Sequence, residues 1–449
     1  MNARHIRFFS LRPAIAALIV AGLMLAWTPP ASATNGMYLI GYGPEAIGRG
    51  GANLAISDRT LAINFNPAGI AQLQGNHLSA SVSLLAPSLS FSNGLNPGAV
   101  DAEDRYFPLP AVTYVRAGKE TPWSWGVGFV AQGGLGATFN DLNTPFGTRD
   151  QTYTQVRYGT ITPTVAYAFD EDMAVGLSLN LGYADAAFRF FPDTSFFNAA
   201  APQFSFPGVK MEDAAGLQTS ARLGWWWRAH PKLSFGAVYQ TETDSDFDGG
   251  DLSVNYTGFP FIGQRVHYDA EMDGFTFAAQ AGVGVAYRPT SQWVLALDVK
   301  RYFWDSAIDT ILVTGTNPDV PLPAPFDQVQ LPFVFDWEDQ WVFAVGADYR
   351  LNELVTLRGG YNYGENPVPD VTLTPLFPAT VEHHLTFGLS WLRGSRVYEV
   401  ALEHAFNSSQ TNNNFDPNVN PFGPGATVDH EQWTLSFGVS LAWARNGHS

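Results

Sequence analysis

After residue 76 the chain alternates apolar and polar side chains at almost every second position, in fourteen stretches joined by connections of alternating length. The stretches run roughly 77–92, 107–117, 122–139, 154–169, 172–190, 214–228, 232–247, 272–288, 291–304, 337–350, 353–363, 381–392, 396–407 and 430–445. Short connections lie at 117–122, 169–172, 228–232, 288–291, 350–353 and 392–396. Long ones lie at about 93–106, 140–153, 191–213, 248–271, 305–336, 364–380 and 408–429. A period of two places alternate side chains on opposite faces of a strand. Short turns at one end and long loops at the other, repeated over an even number of strands, fit an outer-membrane barrel. A soluble sandwich does not produce that asymmetry so regularly. The expected fold is all-β, a fourteen-stranded antiparallel transmembrane barrel spanning 77–449.

Composition agrees where it bears on this. Charged residues make up 14% and aromatics another 14%, against roughly 25% charged in soluble proteins. No apolar run of about 18 residues follows the N-terminal stretch, so membrane-spanning helices are excluded. The strand phases carry the same message. Trp433, Leu435, Phe437, Val439, Leu441 and Trp443 share one face, and Thr434, Ser436, Gly438, Ser440 and Ala442 the other. Tryptophans bracketing an aliphatic row suit a lipid-facing strand with aromatic girdles. Phe275, Phe277, Ala279, Ala281, Val283, Val285 and Tyr287 read the same way, as do Trp341, Phe343, Val345, Ala347 and Tyr349.

Residues 1–33 read as a secretory signal: Arg4, Arg7 and Arg12, then apolar Ala14 to Trp27, then Ala31-Ser32-Ala33 as cleavage site. The mature chain is expected to begin at Thr34. The net charge of −17 is strongly acidic and disfavours nucleic acid as a partner. The absence of Cys excludes disulfides. Between signal and strands, Gly41 to Leu73 carries five glycines by Gly51 and a break at Asn66-Pro67-Ala68-Gly69. It is too short to build a core of its own. A fourteen-strand lumen is too wide for wall side chains alone to fill, so 34–76 is expected to be an N-terminal plug inside it.

The long loops are greasy. Phe190, Phe191, Phe196 and Phe197 cluster in one, and Phe259-Pro260-Phe261-Ile262 in another. Exposed apolar clusters mark binding surfaces, so these residues are candidates for capturing a hydrophobic molecule. Loop phenylalanines burying one another is the competing explanation. If the ligand carries a carboxylate, an inward-facing cation should meet it, and strand phase suggests Arg157, Lys300 and Arg358. Each could instead pair with a luminal carboxylate such as Asp298, Glu399 or Glu403.

The arrangement resembles the FadL family of outer-membrane long-chain fatty-acid and hydrocarbon transporters. Its carriers are Gly48-x-Gly50-Gly51-Ala52 followed by Asn66-Pro67-Ala68, set ahead of fourteen strands. The resemblance covers the mature chain and implies that 34–76 is the family's hatch. It also implies a kinked third strand that opens a lateral gap. Here that strand carries Gln132-Gly133-Gly134-Leu135-Gly136, and Gly133, Gly134 and Gly136 are where a strand would bulge. The expected function is passive uptake of hydrophobic molecules, long-chain fatty acids first and aromatic or aliphatic hydrocarbons second. The route runs through loop capture, luminal binding, plug movement and lateral exit. No enzyme activity, cofactor or metal is expected. The expected surroundings are lipid and lipopolysaccharide of a Gram-negative outer membrane, with the chain a monomer.

Other motifs weigh less. Gly41-x-Gly43 and Gly48-x-Gly50 lack the strand-to-helix setting of a nucleotide site. Asp244-x-Asp246-x-Asp248-Gly249 begins like a calcium loop but has Asn255 where a Glu belongs. His383 and His384 are neighbours on a strand and face opposite ways. A lipase-like barrel enzyme would need Ser, His and a carboxylate converging on one face. A plain porin would need an unobstructed lumen. The chain also runs six residues past Trp443, where such barrels usually end on an aromatic residue.

Overall fold

The computed structural model describes residues 35–56, 59–103, 106–118, 121–243 and 247–443. The expected signal segment, Thr34, Asp244, Asp246 and the residues after Trp443 lie outside them. Fourteen strands close into one antiparallel wall: β1 Gly75–Ser92, β2 Phe107–Ala117, β3 Trp123–Asn143, β4 Arg149–Ala168, β5 Met173–Phe196, β6 Phe206–His230, β7 Leu233–Gln240, β8 Ala279–Tyr287, β9 Trp293–Phe303, β10 Gln340–Arg350, β11 Val355–Gly364, β12 His383–Arg393, β13 Arg396–Asn412 and β14 Ala426–Trp443. Each pairs with its neighbours in chain order, and β14 returns to β1 in an unbroken register from Asn76↔Trp443 to Ser92↔Thr427. Among the described residues every wall strand is paired on both sides, the condition for crossing a membrane with strands.

The alternation read from the sequence is the alternation of the wall. On β14, Trp433, Phe437 and Trp443 face outward, while Thr434 and Ser436 are buried. Tyr and Trp pair on the outer surface near the short turns, as in Trp123 with Tyr167 (4.9 Å) and Trp293 with Tyr349 (4.7 Å). These make a girdle.

Two expected loops are not loops. Within 248–271 and 305–336 lie strands Phe247–Asn255, Arg265–Phe275, Ile308–Thr316 and Val329–Val334. They extend the upper part of β6 as an antiparallel sheet beyond the wall. The strand expected over 272–288 is divided for the same reason. Phe275 closes the loop sheet and Phe277 turns inward, both fully buried, and only Ala279 to Tyr287 belongs to the wall. Wall height is uneven, because β3 to β6 run 20–25 residues while β7 to β11 run 8–11. About 9–11 residues span a bilayer, so the tall side rises well beyond it.

Candidate functional site

The segment Asn35–Gln74 lies inside the ring of strands. It carries one short helix, α1 Pro44–Gly48, and two 3-10 turns, Thr60–Asn64 and Pro67–Gln72. The backbone approaches the wall where the wall has no side chain. A Cβ at Gly176, Gly224, Gly236, Gly346 or Gly360 would come within 2.0–2.4 Å of Leu54, Asn66, Pro67 or Arg49. Asn66 is the node of its own turn: its Nδ2 donates to the carbonyls of Leu54 (2.9 Å) and Trp225 (2.8 Å), and its Oδ1 accepts from Ala68 N (3.2 Å). Pro67 lies against the backbone at Gly176 and beside Gly224, and Ala68 is fully buried. Gly50 and Gly51 take φ of 63° and 85°, which only glycine holds without strain, and Gly48 touches the backbone of Gly388.

Ion pairs hold this segment to β10 and β11 and, through Arg358, to β13. Arg49 reaches Glu45 and Asp348 (3.2 Å), and Arg59 reaches Glu45 at 2.8 Å. Arg358 reaches Glu45 (3.6 Å), Asp348 (3.4 Å) and Glu399 (3.9 Å), and also bonds Ser390. Burial raises the Glu45 carboxyl, but Arg59, Arg49 and Arg358 outweigh it and hold it at about 2. Asp298 accepts from the backbone of Asn53 (2.7 Å) and Leu54 (3.0 Å), while Lys300 Nζ donates to Gly51 O at 2.8 Å. Two of the three cations singled out from sequence, Lys300 and Arg358, are therefore occupied in holding the segment. The third, Arg157, faces out of the barrel. It pairs with Asp185 at 2.8 Å beside exposed Leu181, Tyr183 and Leu217, so the inward phase expected for it is wrong. Tyr153, Gln155 and Arg157 form an outward row on β4 at and beyond the level of Gly134, with which Arg157 is in register.

The luminal cation that sequence reasoning missed is Arg222 on β6. It is buried and bonds Gln240, while its Nε and Nη1 have no hydrogen-bond partner among the described residues. No carboxylate pairs with it in that set. It lines a cavity of about 30 Å³ with Tyr38, Tyr42, Gln280, Lys300 and Tyr302. That volume holds about one water. The signal was available: Arg222 shares its phase with Gln218, Ser220 and Gly224, all inward, but three adjacent tryptophans dominate the stretch.

Above this cavity one apolar cluster runs from the long loops downward. It includes Phe259 and Phe191, then Phe275, Phe277, Tyr158 and Trp304, and reaches Tyr38. The loop phenylalanines divide between the two explanations offered for them. Phe191 and Phe259 are buried, with Phe190 stacked on Phe191 at 4.6 Å and Phe197 tilted against Phe259 at 5.3 Å. Phe196 and Phe261 are exposed.

At the foot of that cluster the third strand leaves the wall. The β3–β4 register slips between Ala131 and Gly133, with Gln132 as the extra residue. Gly133 and Gly134 take φ of 141° and 156°, and a Cβ on Gly134 would lie 2.1 Å from Val156 O. Gly136 lines a small cavity with Pro87, Leu89 and Phe107. β2 pairs with β3 only from Ala111↔Val130 to Ala117↔Ser124, so the wall is unzipped above that point. The luminal segment meets the kink directly. Tyr38 forms a backbone bridge with Gly133, and Tyr42 Oη donates to Gln132 O at 2.7 Å. Leu39 and Tyr42 fill the inner side of the opening with Phe107, Leu109, Val130 and Ala131.

A family model described as Outer membrane protein transport protein (OMPP1/FadL/TodX) matches residues 22–440. The toluene transporter TodX of Pseudomonas putida is similar in structure, at TM-score 0.74 and 17% identity, covering 91% of this chain and 100% of that one. The toluene transporter TbuX of Ralstonia pickettii gives 0.69 and 20%, covering 90% and 98%. A FadL homologue of Pseudomonas aeruginosa gives 0.74 and 13%, covering 91% and 99%. No curated protein sequence is matched.

Proposed function

The chain belongs to the outer membrane protein transport family (OMPP1/FadL/TodX) and is an outer-membrane transporter of hydrophobic compounds, and from that premise we propose its route and preferred cargo. A hydrophobic molecule enters among the loop phenylalanines and moves down the apolar cluster to the Arg222 cavity. It leaves sideways between β2 and β3 once residues 35–42 step aside. The observation that carries this route is that Tyr38 and Tyr42 both line the Arg222 cavity and both grip the third-strand kink. A cavity the size of one water admits a ligand only if those residues move, and their movement uncovers the opening. Burial of each CH₂ contributes about 0.8 kcal/mol, so a long chain needs no special chemistry to bind.

Arg222 favours cargo with an anionic end, and a long-chain fatty acid is the first candidate. Two guanidinium nitrogens without a hydrogen-bond partner among the described residues, in a desolvated site, suit a carboxylate. Neutral aromatic hydrocarbons are the second, supported by the toluene named for TodX and TbuX and by the Tyr158–Phe277 stack at 4.0 Å. Arg222→Met decides between them. Loss of a charge-assisted bond worth about 1.5–3 kcal/mol should lower oleate uptake roughly ten- to hundredfold and spare toluene. Equal uptake of oleate by variant and parent would move the assignment to neutral hydrocarbons.

A further inference from the structure

The wall edge that faces the kinked third strand is built from Phe107-Pro108-Leu109-Pro110. β2 keeps an unbroken register with β1 through these four residues, from Leu85↔Phe107 to Val82↔Pro110. On its other side, register with β3 begins only at Ala111. In an antiparallel sheet, successive residues turn their N–H and C=O groups to opposite neighbours. Proline has no N–H to give. Because the ladder to β1 is intact, Phe107 and Leu109 must serve β1, and both missing donors fall on the edge facing β3. A third proline obeys the same rule. Pro163 of β4 stays in register with Val127 of β3, while its register with β5 is interrupted between Ile161 and Thr164.

We propose that Pro108 and Pro110 are positioning residues that hold the wall open between β2 and β3. The inference rests on lateral exit for its functional meaning. An edge with free N–H and C=O groups is a template for pairing, and proline blunts it. The glycines of β3 allow that strand to turn into the lumen, but a glycine backbone turns back as readily. What prevents rezipping is on the opposite edge, where two of the next four residues of β2 cannot donate. Apolar Phe107 and Leu109 then line the inner side of a permanent opening. The opening is thus fixed from both sides, by glycine where the strand departs and by proline where it would return.

The test is the full-length variant Pro108→Ala/Pro110→Ala in the outer membrane, with Pro163→Ala as control. Hydrogen exchange reads the two new amides, and uptake is followed with radiolabelled oleate and toluene. Two restored ladder bonds should slow exchange at 108 and 110 and lower uptake of both probes by about tenfold, with the control at the parent's rate. Pro110→Ala alone, next to the existing ladder, carries the same test if the double variant fails to insert. Rapid exchange at the new amides with parental uptake would overturn the proposal and leave lateral exit standing. Slow exchange with parental uptake would uphold the role of the prolines and overturn lateral exit instead.

Discussion

The luminal segment has two unlike halves. Residues 44–73 are tied to the wall by charge and by backbone: Glu45 and Arg49 to Asp348 and Arg358, Asn53 and Leu54 to Asp298, Gly51 to Lys300, Leu54 and Trp225 through Asn66. Residues 35–42 carry no charge. They meet β3 through the Tyr38–Gly133 bridge, the Tyr42 hydroxyl and apolar contact, and Tyr38 also donates to Ala278 O (3.1 Å) and packs on Tyr302 and Trp304. Removing one partner of a buried ion pair costs about 3–5 kcal/mol, whereas a neutral hydrogen bond contributes about 1. The difference teaches where motion belongs. A barrel that kept its whole interior equally tight could not pass cargo, and one held loosely throughout would leak. Here the firm half blocks the lumen and the weak half lies at the opening.

Breaking the firm half should have the largest consequence. Arg358→Met leaves Glu45, Asp348 and Glu399 without their shared cation, at about 3–5 kcal/mol. The expected result is a leaky barrel, read as increased ion conductance across a planar bilayer. Conductance equal to the parent's would mean that the ionic cluster does not hold the segment. The kink comes next. Gly134→Val forces a side chain onto Val156 O at a φ of 156°, a strain of about 1–3 kcal/mol. Uptake should fall about tenfold with conductance unchanged, and parental uptake in a correctly inserted variant would remove the kink from the route. The smallest effect is expected at the weak half. Tyr42→Phe loses the bond to Gln132 O, about 1 kcal/mol, and should raise uptake by about fivefold at most. A fall in uptake would show that the hydroxyl acts on cargo and not on the kink.

The wall was legible because lipid imposes a period of two on every strand, and β14 shows it from Trp433 to Trp443. The sheet beyond the wall was not, since nothing imposes that period above the bilayer. There the alternation of Phe275 and Phe277 continued past the point where the chain left the wall. Arg157 was misplaced because its polarity suggested the lumen, whereas it lies on the outer face paired with Asp185. Gly133 and Gly134 were found because the family resemblance pointed to a kink in the third strand and glycine marks where a backbone can turn that way. Lys300 and Arg358 were visible as inward cations, and Asp298 and Glu399 as their wall partners, but the contacts to Gly51 and Glu45 were not. Pairing across such distances in sequence leaves no local sign. Arg222 was in phase throughout, and its lack of a carboxylate partner among the described residues is a fact of three dimensions only.

The central claim is that residues 35–42 must leave the third strand before cargo can pass. The chain has no cysteine, so Leu39→Cys/Ala131→Cys places a unique pair within one apolar cluster across the opening. A cleavable bifunctional thiol reagent can then tether the two, and oleate and toluene uptake be followed before tethering, after it and after cleavage. The account predicts uptake that is lost on tethering and restored by cleavage, with the barrel folded throughout. Full uptake in the tethered protein would contradict it.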